Sequence, residues 1–152
     1  MDIEIVEGKI DNIEELKELW ELLRAHHEEK SIHFKRDFKE LTFEKRIEKI
    51  KEKVEENEKV KVLIALDKVN NQKVGYCIGS ISCDNKGNLD SLFVLEDYRN
   101  HRIGDKLLKK MINWLENNKT DDIYIGVASG NEDVFSFYEN YGFYPVVTKL
   151  KK

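Results

Sequence analysis

Apolar residues along this chain alternate between two spacings, and the switches lay out its elements. Ile3 and Ile5 alternate with acids, so residues 2–7 read as a first strand ending at Gly8. Leu16, Leu19, Trp20, Leu23 and His27 then recur at helical spacing, which predicts a helix over 11–29. Asp11 and Glu14 stand where a capping box would begin it. His27 ends the apolar stripe, and His26 lies off to its side. Ile32, Phe34 and Phe38 sit among charges without a long period, as in a connecting loop or short helical turn. Thr42 is placed to cap a second helix carrying Phe43, Ile47, Ile50 and Val54. The charge run over 51–59 reads as a solvated helix end and turn.

Period two returns at residues 60–66, an apolar and β-branched strand. Asn70 and Asn71 turn the chain into a second strand over 74–82, giving a hairpin. A turn over 85–88 leads into a strand over 89–94, where Leu92, Phe93, Val94 and Leu95 form a short apolar run. From Ile103 the spacing is helical again through Leu107, Leu108, Met111, Trp114 and Leu115, and Asn117-Asn118-Lys119 closes that helix. A strand over 122–127, a helix over 131–141 with Gly142 just past its end, and a last strand over 146–150 complete the chain.

Composition narrows the class. A chain of 152 residues is long enough for one domain, 1–152, with a proper core. Hydrophobic content of 40% with 37% charged residues describes a globular protein with a heavily charged surface. No apolar run approaches the ~20 residues of a membrane span, and the N-terminus lacks a signal-peptide core, so a cytoplasmic location is expected. A net charge of −4 argues against nucleic acid as the main partner, because phosphate binding needs a basic face. Cys77 and Cys83 fall in one predicted strand, about 20 Å apart along it, so two buried free thiols are expected.

The stretch between strand and helix carries the chemistry. Tyr98-Arg99-Asn100-His101-Arg102-Ile103-Gly104 is a basic turn at a helix N-terminus, where unsatisfied N–H groups and the positive dipole end gather. It suits a phosphate or pyrophosphate. The run from Arg99 to Gly104 resembles the acyl-CoA signature of the GNAT family of N-acetyltransferases, in which Arg or Gln is followed by two closely spaced glycines. Here Arg102 stands where the first glycine usually does. Asn131, with Tyr138 seven residues later and Gly142-Phe143 beyond, resembles the family's second element. The two matches occur in the family's order, and the resemblance covers roughly residues 60–150.

The resemblance implies an α/β fold of the α+β type, a GNAT-like mixed and mostly antiparallel sheet with helices on both faces. Many members carry two strands after the second motif, and this chain has room for one. That leaves open the far sheet edge and any homodimer built on it. In the family, main-chain N–H groups of the central strand polarise the thioester, which maps to Leu92, Phe93 and Val94, with Val94 first. The turn residues Arg99, Asn100, His101, Arg102, Ile103, Gly104 and Asp105 would hold the pyrophosphate. Arg102 costs ~1–2 kcal/mol if its φ is positive and little if negative, and negative φ is the expectation.

Tyr138 would protonate the sulfur as general acid, or be a core tyrosine. Asn131 would bind the pantetheine arm, cap the helix, or both. A lysine-like ammonium has pKa ~10.4, so freeing the amine at pH 7 costs roughly 4–5 kcal/mol and calls for a base or water chain. Asp90 is either that base or a solvated strand-end carboxylate. His27 is the second choice, or a structural histidine. Phe34 and Phe38 would form the acceptor wall.

The reading is an N-acetyltransferase that moves an acetyl group from acetyl-CoA to a small primary amine by direct attack, without a metal. Its partners are then acetyl-CoA and a polyamine-like or amino-sugar acceptor, with neither nucleic acid nor membrane among them. The alternatives are a protein N-terminal or lysine acetyltransferase, and a module that senses acyl-CoA without turnover.

Overall fold

A computed structural model describes all of residues 1–152. Five strands form one sheet in chain order: β1 (Ile3–Gly8), β2 (Val60–Asp67), β3 (Gln72–Ile81), β4 (Gly87–Val94) and β5 (Ile123–Ile125). Neighbours run antiparallel except β4 and β5, which are parallel and joined through a helical crossover. The helices are α1 (Lys17–Lys30), α2 (Lys35–Glu40), α3 (Phe43–Lys53), α4 (Ile103–Asn117) and α5 (Phe135–Glu139). The mixed, mostly antiparallel sheet with helices on both faces is the expected fold.

The uninterrupted apolar run of β2 follows from burial on both faces. Val62 and Ile64 join Leu16, Trp20, Phe43 and Ile50 beneath α1 and α3. Leu63 and Ala65 point the other way, into the layer formed by Leu107, Leu108, Met111 and Leu115 of α4. α4 packs close because β3 has a glycine under it. A Cβ on Gly79 would run into the Met111 side chain and come within 3.3 Å of the Asn88 carbonyl oxygen. The stripes of α3 and α4 are those read from the sequence, and Thr42 Oγ1 accepts from the Lys45 N–H at 3.2 Å as the cap of α3.

Two departures from regular pairing shape β4. Ile78 pairs with Ser91 but Gly79 pairs with Leu89, so Asp90 is an extra residue, a bulge. Side chains therefore break alternation. Leu89, Leu92 and Val94 face α4, whereas Ser91 bonds Tyr76 and Asp90 bonds Lys53 on the α1–α3 face. Second, β5 pairs with β4 at only three positions, Gly87↔Ile123, Asn88↔Tyr124 and Leu89↔Ile125. Beyond Leu89 the two strands part.

Several expectations are corrected. No strand forms over 146–150: Val146 and Val147 are each 84% exposed, and the segment joins no ladder. β propensity cannot make a strand without a partner edge, and Pro145 removes one donor. The first helix opens as a tight 3₁₀ stretch, Ile10–Leu16, bent at Asn12, and Lys9 precedes it without a side-chain cap, so Asp11 and Glu14 form no capping box. Over 131–141 the helix is a 3₁₀ turn, Glu132–Val134, followed by α5. The strand over 122–127 shrinks to three residues. Cys77 is buried, but β3 ends at Ile81 and Cys83 lies past it, exposed. No helix is long and apolar enough to cross a membrane.

Candidate functional site

The turn into α4 presents bare main chain. Asn100 and Arg102 both take left-handed φ, 65° and 60°, which corrects the expectation of negative φ at Arg102. That conformation turns the chain tightly just before α4. None of the N–H groups of residues 100–105 donates to a protein acceptor, and the first α-helical bond runs from Lys106 N–H to the Arg102 carbonyl at 3.1 Å. The helix dipole adds to this row of donors. Arg99 is held by its Nε donating to the Val94 carbonyl oxygen at 3.1 Å, and His101 Nδ1 lies 2.8 Å from the Arg99 carbonyl oxygen. The Asp105 carboxylate turns away, accepting from the Tyr141 hydroxyl and pairing with Lys109 at 3.2 Å.

Gly104 supplies the fit for a phosphate group. A Cβ there would meet only Phe137 at 3.7 Å and Val94 at 3.9 Å, ordinary contacts, so the protein itself does not require glycine. The missing side chain leaves a cradle open beside the free amides, and a pyrophosphate fits that donor set.

The parting of β4 and β5 exposes a second row of donors. Leu95 N–H donates to the Val74 carbonyl at 2.8 Å, so by antiparallel alternation Phe93 and Ser91 also turn their amides to β3. Leu92 and Val94 then direct theirs to the open side. Of the three predicted strand residues, Leu92 and Val94 face the opening with main-chain N–H groups, and Phe93 does not. Its ring lies instead in the α1–α3 layer, with the Arg99 guanidinium 5.8 Å from its centroid.

A cleft of about 110 Å³ occupies that opening, lined among others by His27, Asp90, Leu92, Gly126, Asn131 and Tyr138. A larger recess of about 470 Å³, between β1, β2 and the Asn12 turn, holds none of the predicted residues. The Tyr138 hydroxyl makes no hydrogen bond and is not sealed, so it opens to the cleft. Burial pushes its pKa up to about 12. Its ring sits edge-on to Phe137 and Phe143, with centroids 5.3 and 6.3 Å away, which fixes the hydroxyl's direction.

His27 Nδ1 is buried without a partner, which leaves Nε2 as the accessible ring nitrogen. Burial, and next the neighbouring His26, holds the His27 pKa below its usual value, so the ring is neutral at pH 7. The Phe38 ring lies tilted against it, with centroids 5.6 Å apart. Phe34 does not line the cleft; it lies under the Lys151 ammonium, 5.6 Å away, at the α1–α2 connection.

Asp90 is neither a free base nor a solvated strand end. Its side chain is 2% exposed, ion-paired with Lys53, and accepts from the Ser80 hydroxyl at 2.6 Å. Asn131 is buried, and its Oδ1 lies 3.3 Å from His26 Nε2 rather than capping a helix. Sequence reasoning missed His26, Arg46, Lys53 and Gly126. Arg46 and Lys53 stand seven apart on α3, hence on one face, but nothing in that spacing ties them to a strand about 40 residues on. No three His, Cys, Asp or Glu side chains gather as for a metal ion.

Known proteins match this arrangement. The model of the Acetyltransferase (GNAT) family matches residues 16–143. N-alpha-acetyltransferase 50 of Danio rerio is 34% identical over 80 residues, 47% of this chain and 48% of that protein, so the match spans about half that relative's length. A GNAT-family acetyltransferase from Staphylococcus aureus Mu50 superposes with a TM-score of 0.72 at 26% identity, covering 96% of this chain and 87% of the other. The fold is also shared with AAC(6')-Iy, solved with the bisubstrate analogue CoA-S-monomethyl-acetylneamine, at a TM-score of 0.65 and 15% identity over 100% of this chain and 99% of that one. With the family model spanning most of the chain and the sheet parting beside a bare helix N-terminus, this protein belongs to the GNAT acetyltransferase family.

Proposed function

We propose that the cleft passes an acetyl group from acetyl-CoA to a small primary amine, polyamine-like or amino-sugar in kind, by direct attack. The observation that carries this reading is the row of undonated amides at 100–105 beside a cleft whose tyrosine hydroxyl is unbonded. Acetyl-CoA, when bound, supplies the activated acyl carbon and a thiolate leaving group. The 100–105 amides and the α4 dipole bind the pyrophosphate, and Gly104 gives it room. The Leu92 and Val94 N–H groups sit where strand pairing has lapsed; Val94 polarises the thioester oxygen and Leu92 holds the pantetheine arm. Asn131 steadies the same arm from the far side of the cleft.

Two protons must move. The attacking nitrogen gives one up as the new C–N bond forms, and the neutral His27 ring accepts it at Nε2, directly or through water. Asp90, its carboxylate already bonded to Lys53 and Ser80, does not compete for it. Tyr138, protonated at neutral pH, delivers the other to the sulfur as the C–S bond breaks. Leu23, Leu108 and Val134 line the cleft and limit water there.

The modest cleft volume supports a small acceptor. A second reading, acetylation of a protein N-terminus, is favoured by the N-alpha-acetyltransferase relative. The test is thiol release from acetyl-CoA against a panel of polyamines, amino sugars and peptides with free N-termini, with the N-acetyl product weighed by mass spectrometry. Release with polyamines or amino sugars supports the first reading, and release with peptides alone transfers it to the second. Binding of acetyl-CoA with no release from any amine would make the protein a sensor.

A further inference from the structure

The bulge at Asp90 is held from outside its own strand. Lys53 of α3 ion-pairs with one carboxylate oxygen, and the Ser80 hydroxyl donates to the other at 2.6 Å. Arg46, also of α3, donates from Nη2 to the Asp90 main-chain carbonyl oxygen at 2.6 Å. A bulged residue drops out of the strand ladder, so its carbonyl needs another donor. Its buried carboxylate likewise needs a cation. α3 provides both, from two side chains seven residues apart on one helix face.

We infer that Arg46 and Lys53 are positioning residues for acetyl transfer, pinning the bulge and so deciding which β4 amides face the cleft. The inference rests on the function proposed above. β4 changes register at this residue: Leu89 opposes Gly79 below it and Ser91 opposes Ile78 above it. With the extra residue in place, the Leu92 and Val94 N–H groups face the opening. Were the bulge to relax, residues beyond it would slide by one, and Leu92 and Val94 would turn their amides to β3. The oxyanion donor is thereby tied to two cations on the opposite face of the sheet, neither of which touches a substrate. The amides of residues 100–105 make no hydrogen bond to β4; the turn bonds to that strand only through the Arg99 side chain, at the Val94 carbonyl oxygen.

The test uses Arg46→Met, Lys53→Met and the conservative Arg46→Lys in the full chain. Either Met variant should lower kcat at least tenfold while calorimetric acetyl-CoA affinity falls by a smaller factor, since only the Leu92 contact to the pantetheine arm is lost from binding, and Arg46→Lys should restore part of the rate. In ¹⁵N amide spectra the Leu92 and Val94 resonances should move in each Met variant, and by more than those of residues 100–105. A Met variant that melts earlier yet keeps the parent kcat and unmoved Leu92 and Val94 resonances would overturn the inference, leaving α3 a simple prop. If the parent releases no thiol with any amine, the proposed function fails. The amide spectra then still decide whether α3 sets the β4 amides, and Arg46→Lys supplies them should a Met variant not fold.

Discussion

His26 Nε2 lies 3.3 Å from Asn131 Oδ1, which ties the last turns of α1 to the turn before α5, where Asn131 lines the cleft. Both residues are otherwise unconnected in sequence. A hydrogen bond of this kind contributes about 0.5–1.5 kcal/mol, so His26→Ala should raise KM for acetyl-CoA roughly three- to tenfold. Asn131→Ala should do at least as much. A double-mutant cycle checks the coupling: the double variant should fall well short of the product of the single effects. Independent effects would mean that the pair does not position the arm-binding side of the cleft.

Gly104→Glu places bulk and negative charge in the cradle beside the free amides. Only ordinary contacts with Phe137 and Val94 await its Cβ, so the variant should fold. Acetyl-CoA should bind at least tenfold more weakly, which is about 1.4 kcal/mol. Calorimetry on the folded variant reads this directly, and parental affinity would remove the turn from the site.

Tyr138→Phe keeps the ring among Phe137 and Phe143 and deletes only the unbonded hydroxyl. kcat should drop by the ~10²–10⁴-fold that general acid help provides, with acetyl-CoA affinity unchanged. The loss should shrink for an acyl donor whose thiol has a lower pKa. Equal rates in parent and variant would assign that proton to water.

The depressed His27 pKa sets a stability slope. In the unfolded chain the ring takes up a proton near 6.5; in the folded protein, burial and then His26 postpone this to lower pH. Between those values the unfolded state carries more protons, so stability is full above about 6.5 and falls as pH drops through the folded value. Melting temperatures from pH 7.5 to 5 should fall less steeply in His27→Gln than in the parent. Parallel curves would show that His27 titrates as a solvent-exposed ring.

Arg102 sits at φ 60°, where a Cβ is strained. Arg102→Gly removes about 1–2 kcal/mol of that strain but frees the unfolded chain, so a net gain of about 0.5–1 kcal/mol is expected. Thermal melts measure it, and a destabilised variant would show that the Arg102 side chain contributes more than its backbone costs.

The stripes of α3 and α4 were legible because each helix buries one face, which writes itself as a repeat of three and four. The bulge was not. Leu92, Phe93 and Val94 are apolar on both faces, so no alternation exists whose break would mark Asp90 as an extra residue. Val146 and Val147 carried a strand signal that needs a partner edge, and the ladder supplies none. At the site, the motif residues Tyr138 and Asn131 and the turn glycine were visible as letters. His26, Arg46 and Lys53 act through contacts between distant segments, which one sequence does not display. Arg102 was misread because Arg is a poor residue for left-handed φ, and the letter alone hid the geometry that the turn enforces.

That turn grips through peptide bonds, so what it recognises is stored in the path of the chain and not in its side-chain alphabet. Asn100, His101 and Arg102 can each be exchanged, provided the replacement tolerates the local dihedral angles, and the same N–H groups remain on offer; Ile103 is held by the core it packs into. Only Gly104 is constrained by what it lacks. Spelling in this segment is therefore free to drift while the anion it holds stays the same, and a search keyed to both glycines would pass over chains that have kept the shape with one.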